Sequence, residues 1–235
     1  MNEQQRKEIL VKAKEYFKNT VIESHKKNTA KCNKLSQFNV NPFLVSYLAN
    51  YLTGNNSPES LAKVLIYPRV LGTSVTTTFG NSMQKFCVNV LDGFASTTSG
   101  IDIEFIDQID GRKKYCQIKS GPNTINKDDV VTIDSHFKAI KNLARTNGLN
   151  LGLDDLVVGV LYGTDKDLSV HYRKINNQYP VIVGQDFWYR LTGDKNFYSE
   201  LINSIGELAF DVDSSALVED VIKDLTKEIK EKGLY

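Results

Sequence analysis

The stretch GIDIEFIDQIDGRKKYCQIKSG, residues 100–121, constrains the chain more than any other. Apolar and polar residues alternate, the chain turns at Asp110-Gly111, and alternation resumes, which is the pattern of a two-stranded hairpin with one buried face. A two-residue turn centred on Asp110-Gly111 predicts that Ile109 faces Arg112, Asp102 faces Lys119 and Glu104 faces Gln117. Asp102, Glu104, Gln117 and Lys119 then share one face. Ile101, Ile103, Phe105, Cys116 and Ile118 point to the other, apolar side.

Cross-strand neighbours lie only about 5 Å apart, so this face can hold a hard cation between Asp102 and the Gln117 amide oxygen, with Lys119 beside it. Magnesium suits such oxygen ligands because it keeps several waters. A lysine next to it can orient or deprotonate a metal-activated water, or steady charge on a phosphate under in-line attack. The plainer reading of the same residues is a solvated hairpin face on which Asp102 and Lys119 form an ordinary salt bridge.

Around this hairpin, helical spacing covers residues 3–24 and is followed by a basic segment, HKKNTAKCNK, read as a loop. Asn41-Pro42 and Ser57-Pro58 open two further helices, closed by Gly54 and near Pro68, and another helix covers about 78–91. Beyond the hairpin the pattern predicts a helix at 127–146, strands at 155–162, 168–175 and 180–183, and then C-terminal helices. The expectation is an α/β fold: a mixed sheet flanked by helices, with a helical N-terminal part (1–76), a central core (77–194) and C-terminal helices (195–235).

Length and composition agree with that size. The chain has 235 residues, a formal net charge of +1 and 41% hydrophobic residues, enough for one domain or one domain with a helical annex. Its three cysteines form no CxxC pair and are odd in number, which argues against a disulfide framework or zinc site and for a reducing cytoplasm. The polar N-terminus is unlike a signal peptide, and no stretch approaches the roughly 20 apolar residues of a membrane span. His25, His136 and His171 show no ligand spacing, and the aromatic residues of QDFWYRLTGD read as core.

The order of Asp102, Gln117-x-Lys119 at the end of the next strand, a helix before and helix and strand after resembles the PD-(D/E)XK nuclease core. With NPFLVSYL (41–48), TTFGNSMQKFCVNVL (77–91), DDLVVGVLYG (154–163) and VGQDFWYRLTGD (183–194), the chain resembles one branch of the type II restriction endonucleases. The resemblance implies that Asp102 and Gln117 are metal positions, joined by the backbone carbonyl of Ile118, and that Lys119 is the catalytic lysine. It also implies Mg²⁺ as cofactor, a homodimer on a palindromic duplex, a GC-rich interrupted site such as a GGNCC core, and a cognate methyltransferase in the same system. Gln117 departs from the family pattern, where Asp or Glu is usual, and so removes one negative charge; Glu104 is a second source of it. Gln84, four residues after Gly80, stands where the superfamily often places an acid that holds a metal-bound water.

The loop and helix after Lys119 supply candidate DNA contacts: Ser120, Asn123, Thr124, Asn126 and Lys127, then Lys138, Lys141 and Arg145. Asn126 equally reads as a helix cap. Lys26, Lys27, Lys31, Lys34 and Arg69 form a second basic set suited to phosphates. Two other readings stand beside the restriction enzyme: a repair or junction-resolving nuclease of the same superfamily, and a DNA-binding protein whose nuclease site has degenerated at Gln117.

Overall fold

The computed structural model describes residues 3–90, 94–211 and 213–234, the side chains at 83, 84, 87, 88 and 209–211 excepted. The chain divides into two compact units. One joins the N-terminal segment up to Tyr16 with Gly80–Gly206; the other joins Phe17–Phe79 with the chain from Glu207 onward.

The first unit is built on a four-stranded sheet in the order β1-β2-β3-β4: β1 (Ile103–Ile106), β2 (Lys113–Lys119), β3 (Leu156–Val160) and β4 (Val181–Val183). β1 runs antiparallel to β2, whereas β3 and β4 follow in parallel. Parallel neighbours need crossover connections, and α6 (Lys127–Thr146) and α7 (Val170–Asn176) provide them. Both helices pack on one face of the sheet, where Ile133, Phe137 and Ile140 of α6 and Tyr172 and Ile175 of α7 meet Val158 and Val160. On the other face Phe105 stacks edge-on against Phe187, and Trp188 sits among Phe86, Phe187 and Phe197. These rings come from α5 (Val75–Val90), α8 (Gln185–Thr192) and α9 (Phe197–Asp211). β3 is buried along its whole length because both faces are covered.

Three expectations need correction. Residues 168–175 were expected to form a strand, but Val170–Asn176 is the helix α7: Leu168, Tyr172 and Ile175 are buried at helical spacing, whereas Val170, which strand alternation would bury with them, is exposed. The basic segment after residue 24 is helical too. A π-helical turn (Phe17–Ile22) joins α1 (Glu3–Tyr16) to α2 (Glu23–Ala30), whose inner side carries Thr29 and leads to buried Cys32 while its lysines face outward. The hairpin register is also shifted. Ile103 pairs with Cys116, which brings Asp102 level with Gln117 and leaves Glu104 opposite Tyr115.

The shift originates at Asp107. Its buried carboxylate accepts the Ile109 N–H at 2.8 Å and pairs with Arg190 at 2.9 Å, while its N–H reaches the Arg112 carbonyl. Those bonds open a four-residue loop, Gln108–Gly111, which Gly111 closes at φ 70°. A change of two in the register sum preserves parity, so the polar residues keep a common face. Ile101, just before the strand, departs from the alternation and packs in the α6-side core.

The second unit is helical: α2, α3 (Val45–Thr53), α4 (Pro58–Pro68) and α10 (Ser215–Lys232) enclose Cys32, Ala62, Ile66, Val70, Val221 and Leu225. The Ser57 hydroxyl caps α4 by accepting the Ser60 N–H, and Gly54 ends α3 at φ 76°.

One buried ionic cluster ties the base of the sheet. Lys114, 2% exposed, reaches Asp110 at 2.5 Å and Asp155 at 3.5 Å, and Asp155 also takes a two-pronged contact from the half-exposed Arg112. The Arg112 bonds, outweighing burial and helped by the Gly152 N–H, hold the Asp155 carboxyl below its usual range. Asp155→Ala is expected to cost about 3–5 kcal/mol in urea unfolding, because Lys114 is left under-paired, and Arg112→Ala under about 1 kcal/mol. A lowered carboxylate contributes stability above its unfolded pKa and loses it as pH falls through the folded value, so the Asp155→Ala deficit should shrink in acid. Equal costs for the two variants, or a pH-independent deficit, would contradict this assignment.

Candidate active site

Asp102 lies where β1 begins, and main chain and side chain both tie it to β2. Its N–H donates to the Cys116 carbonyl at 3.0 Å, and its Oδ2 accepts the Ile118 N–H at 2.6 Å. Alternation along β2 makes the carbonyls of Cys116 and Ile118 point to the same side, and Cys116 O is turned to β1. The Ile118 carbonyl therefore faces the edge that carries the Asp102 carboxylate. Burial pushes the Asp102 carboxyl above its usual range, partly offset by the Ile118 N–H and by the charge of Lys119.

Gln117 is buried, and its amide nitrogen is doubly engaged, donating to Gly100 O at 2.5 Å and to His136 Nδ1 at 2.9 Å. The Gly100 carbonyl accepts only, so it fixes which end of the amide is nitrogen; His136 Nδ1 must then accept, which places the ring proton on Nε2. Gly100 itself is closely held. It has φ 79°, and a Cβ there would stand 2.7 Å from the His136 ring. Gly100, Ile101, Asp102, Gln117, Lys119, Asp129, Thr132, Ile133 and His136 line one open cleft of about 250 Å³. A larger cavity, about 440 Å³ around Tyr115, Ile140, Leu143 and Asp155, contains none of the Asp102, Gln117 and Lys119 side chains.

Of the other candidates, Glu104 is committed elsewhere: it accepts from Ser96 at 2.5 Å and Thr98 at 2.8 Å and pairs with Lys113 at 2.6 Å. Burial alone would raise its carboxyl, but these three partners outweigh it and hold it below the usual range. Gln84 falls within α5, and its side chain lies outside what the structure describes. Thr124 donates to Gly121 O, and Asn126 caps α6 by accepting the Asp128 and Asp129 N–H groups in a capping box with Asp129. Asn123, Lys127 and Lys141 are exposed, Ser120 is half-buried, and Lys138 pairs with Asp134 at 2.6 Å. Lys31, Lys34 and Arg69 are exposed on the helical unit. Phe187 and Trp188 are core residues, as expected.

The family model for the type II restriction endonuclease EcoO109I matches residues 11–213. The chain belongs to that family. It is a site-specific deoxyribonuclease, and its substrate is double-stranded DNA. No curated protein matches the chain.

Restriction endonucleases generally use divalent metal ions. Among the described residues no group of three or more His, Cys, Asp or Glu side chains could hold one. The cleft offers instead the Asp102 carboxylate, the Gln117 amide oxygen and a main-chain carbonyl, all hard oxygen donors, while the carboxylate of Asp129, which also lines it, accepts the Asn126 N–H. That set suits a strongly hydrated cation that shares its remaining positions with water and substrate phosphate. Gly100, Asp129, Thr132 and His136 were not among the predicted site residues. The signal was present, since 129, 132, 133 and 136 lie on one face of α6.

Two outcomes follow for this endonuclease. A raised carboxyl pKa means that charged Asp102 weakens the fold at neutral pH; its contribution is favourable only below the unfolded pKa and is lost as pH rises through the folded value. Asp102→Asn is therefore expected to melt higher than wild type at pH 7, with the gain vanishing in acid, and to cleave DNA at least ~100-fold more slowly. A lower melting point at pH 7 would contradict it. Gln117→Glu is expected to lose about 1–3 kcal/mol in urea unfolding, since a carboxylate cannot donate to Gly100 O or His136; unchanged stability would show that the amide is not held as described.

Proposed function

We propose that this endonuclease is a Mg²⁺-dependent enzyme of the PD-(D/E)XK type that hydrolyses phosphodiester bonds at a specific palindromic site. The observation that carries the reading is the convergence of Asp102, Gln117 and Lys119 in one cleft. Asp102, the Gln117 amide oxygen and the Ile118 carbonyl hold the ion. When bound, it supplies Lewis-acid polarisation of the scissile phosphate and lowers the pKa of a water. Lys119 orients the attacking water and steadies charge on the phosphate. His136 holds the Gln117 amide so that its oxygen stays available to the cation. Ser120, Asn123, Lys127, Lys138 and Lys141 flank this cleft along the chain and contact DNA, with Lys31, Lys34 and Arg69 as further phosphate contacts from the helical unit.

A palindrome is matched by twofold protein symmetry, so the active species is a homodimer with one active site per strand. A GC-rich interrupted site with a GGNCC core, and a cognate methyltransferase that protects the host's own DNA, complete the reading. Gln117 motivates the alternative of a binding protein with a lost nuclease activity. The surroundings of Gln117 weigh against simple decay, because its amide donates to the Gly100 carbonyl, which a carboxylate could not do.

Unmethylated phage DNA incubated with the purified protein is expected to yield discrete fragments with Mg²⁺ and none with EDTA. Intact DNA with Mg²⁺ and with Mn²⁺, together with a specific gel shift, would establish the binding-protein alternative. Cutting only at branched structures would establish a junction-resolving nuclease.

A further inference from the structure

Acids of the sheet unit that are withdrawn from water mostly have a cation of their own. Glu104 pairs with Lys113, Asp107 with Arg190, Asp134 with Lys138 and Asp155 with Arg112, while Asp194 and Glu200 share Arg6. Among the described residues of that unit, Asp102 and Asp129 are half-buried and form no salt bridge with Lys, Arg or His. Both line the same cleft. A carboxylate drawn partly out of water without a counter-charge is unfavourable. Two of them on one cleft favour a hard cation taken from solution.

Local construction brings Asp129 there. It stands in the first turn of α6, where capping uses one of its oxygens: Oδ2 accepts the Asn126 N–H at 2.8 Å. Asn126 caps the helix in return, accepting the Asp128 and Asp129 N–H groups. A carboxylate has acceptor positions on both oxygens, so this cap leaves Asp129 Oδ1 for a further partner. Asp128, its neighbour, is exposed and does not line the cleft. Thr132 and His136 continue the Asp129 wall at three- and four-residue spacing. The helix thus places a carboxylate on the cleft that the strands line with Asp102, Gln117 and Lys119. The negative charge that an amide at position 117 withholds is present on α6.

We propose that Asp129 is the second carboxylate of the metal site, accepting hydrogen bonds from the water shell of the divalent cation and so replacing the charge absent at Gln117. The inference rests on the reading of the cleft as a metal-dependent nuclease site. A contact through water fits the cleft, whose volume of about 250 Å³ has room for a cation that keeps several waters. It also leaves the bond from the Asn126 N–H in place.

The test is calorimetric titration of the full chain with Mn²⁺, for wild type and for Asp129→Asn, Asp128→Asn and Asp102→Asn, with circular dichroism as a check on folding. Asn at 129 keeps an oxygen for the Asn126 N–H, and Asp129→Gln, a second variant, keeps a capping-box acceptor. Both variants at 129 are expected to bind Mn²⁺ roughly 10-fold more weakly, whereas Asp128→Asn, which removes the same charge from the same helix start, stays within about 2-fold. Cutting of unmethylated phage DNA by Asp129→Asn is expected to need roughly 10-fold more Mg²⁺ and to recover as Mg²⁺ is raised, which a merely misfolded helix start would not show. Mn²⁺ binding that Asp102→Asn loses and the variants at 129 retain would overturn the proposal alone. An equal loss in Asp128→Asn would do the same, by showing a general effect of helix charge. A wild type that takes up no Mn²⁺ and cuts DNA equally well in EDTA would overturn the metal-dependent reading itself, and the role of Asp129 with it.

Discussion

The Ile118 N–H to Asp102 carboxylate bond, 2.6 Å long, is the contact on which the geometry of the cleft depends. A central strand must satisfy its N–H groups, and β1 begins only at Ile103, beyond the position opposite Ile118; the carboxylate of Asp102 takes the place of a main-chain carbonyl there. The same bond that completes the sheet therefore fixes the first acidic group of the site. Burial makes the charged carboxylate costly, and the Ile118 N–H and the nearby charge of Lys119 offset part of that cost.

Gln117 illustrates how a departure from a family pattern acquires surroundings of its own. Its amide nitrogen is held between a carbonyl and a histidine nitrogen, and the carbonyl, which only accepts, has nothing to bond in a carboxylate. Gly100 makes this possible by adopting a left-handed conformation and by lacking the Cβ that would strike His136. Loop, strand and helix meet at that amide. Relative to a carboxylate, the amide brings one fewer negative charge to the cleft.

Much of this was legible in the residues. Alternation gave the shared face of Asp102, Gln117 and Lys119, because side-chain parity survives any even shift in register. The register itself was not legible: it depends on Asp107 meeting Arg190, a residue 83 positions away. The α7 segment was misread because Val170 and Tyr172 alternate over a stretch too short to separate the two periods. Glu104 looked like spare charge until Ser96, Thr98 and Lys113 were seen to consume it. His136 has no ligand spacing to mark it in the sequence, and only the packing of α6 over the sheet brings it to Gln117.

The most direct test of the central claim compares Lys119→Met with wild type on a duplex carrying a mapped cleavage site, measuring binding and cutting separately. The account predicts that the variant binds the duplex within a few-fold of wild type while cleavage falls at least ~100-fold, since Lys119 acts on the reacting phosphate rather than on recognition. Undiminished cleavage by Lys119→Met would place the chemistry somewhere other than this cleft.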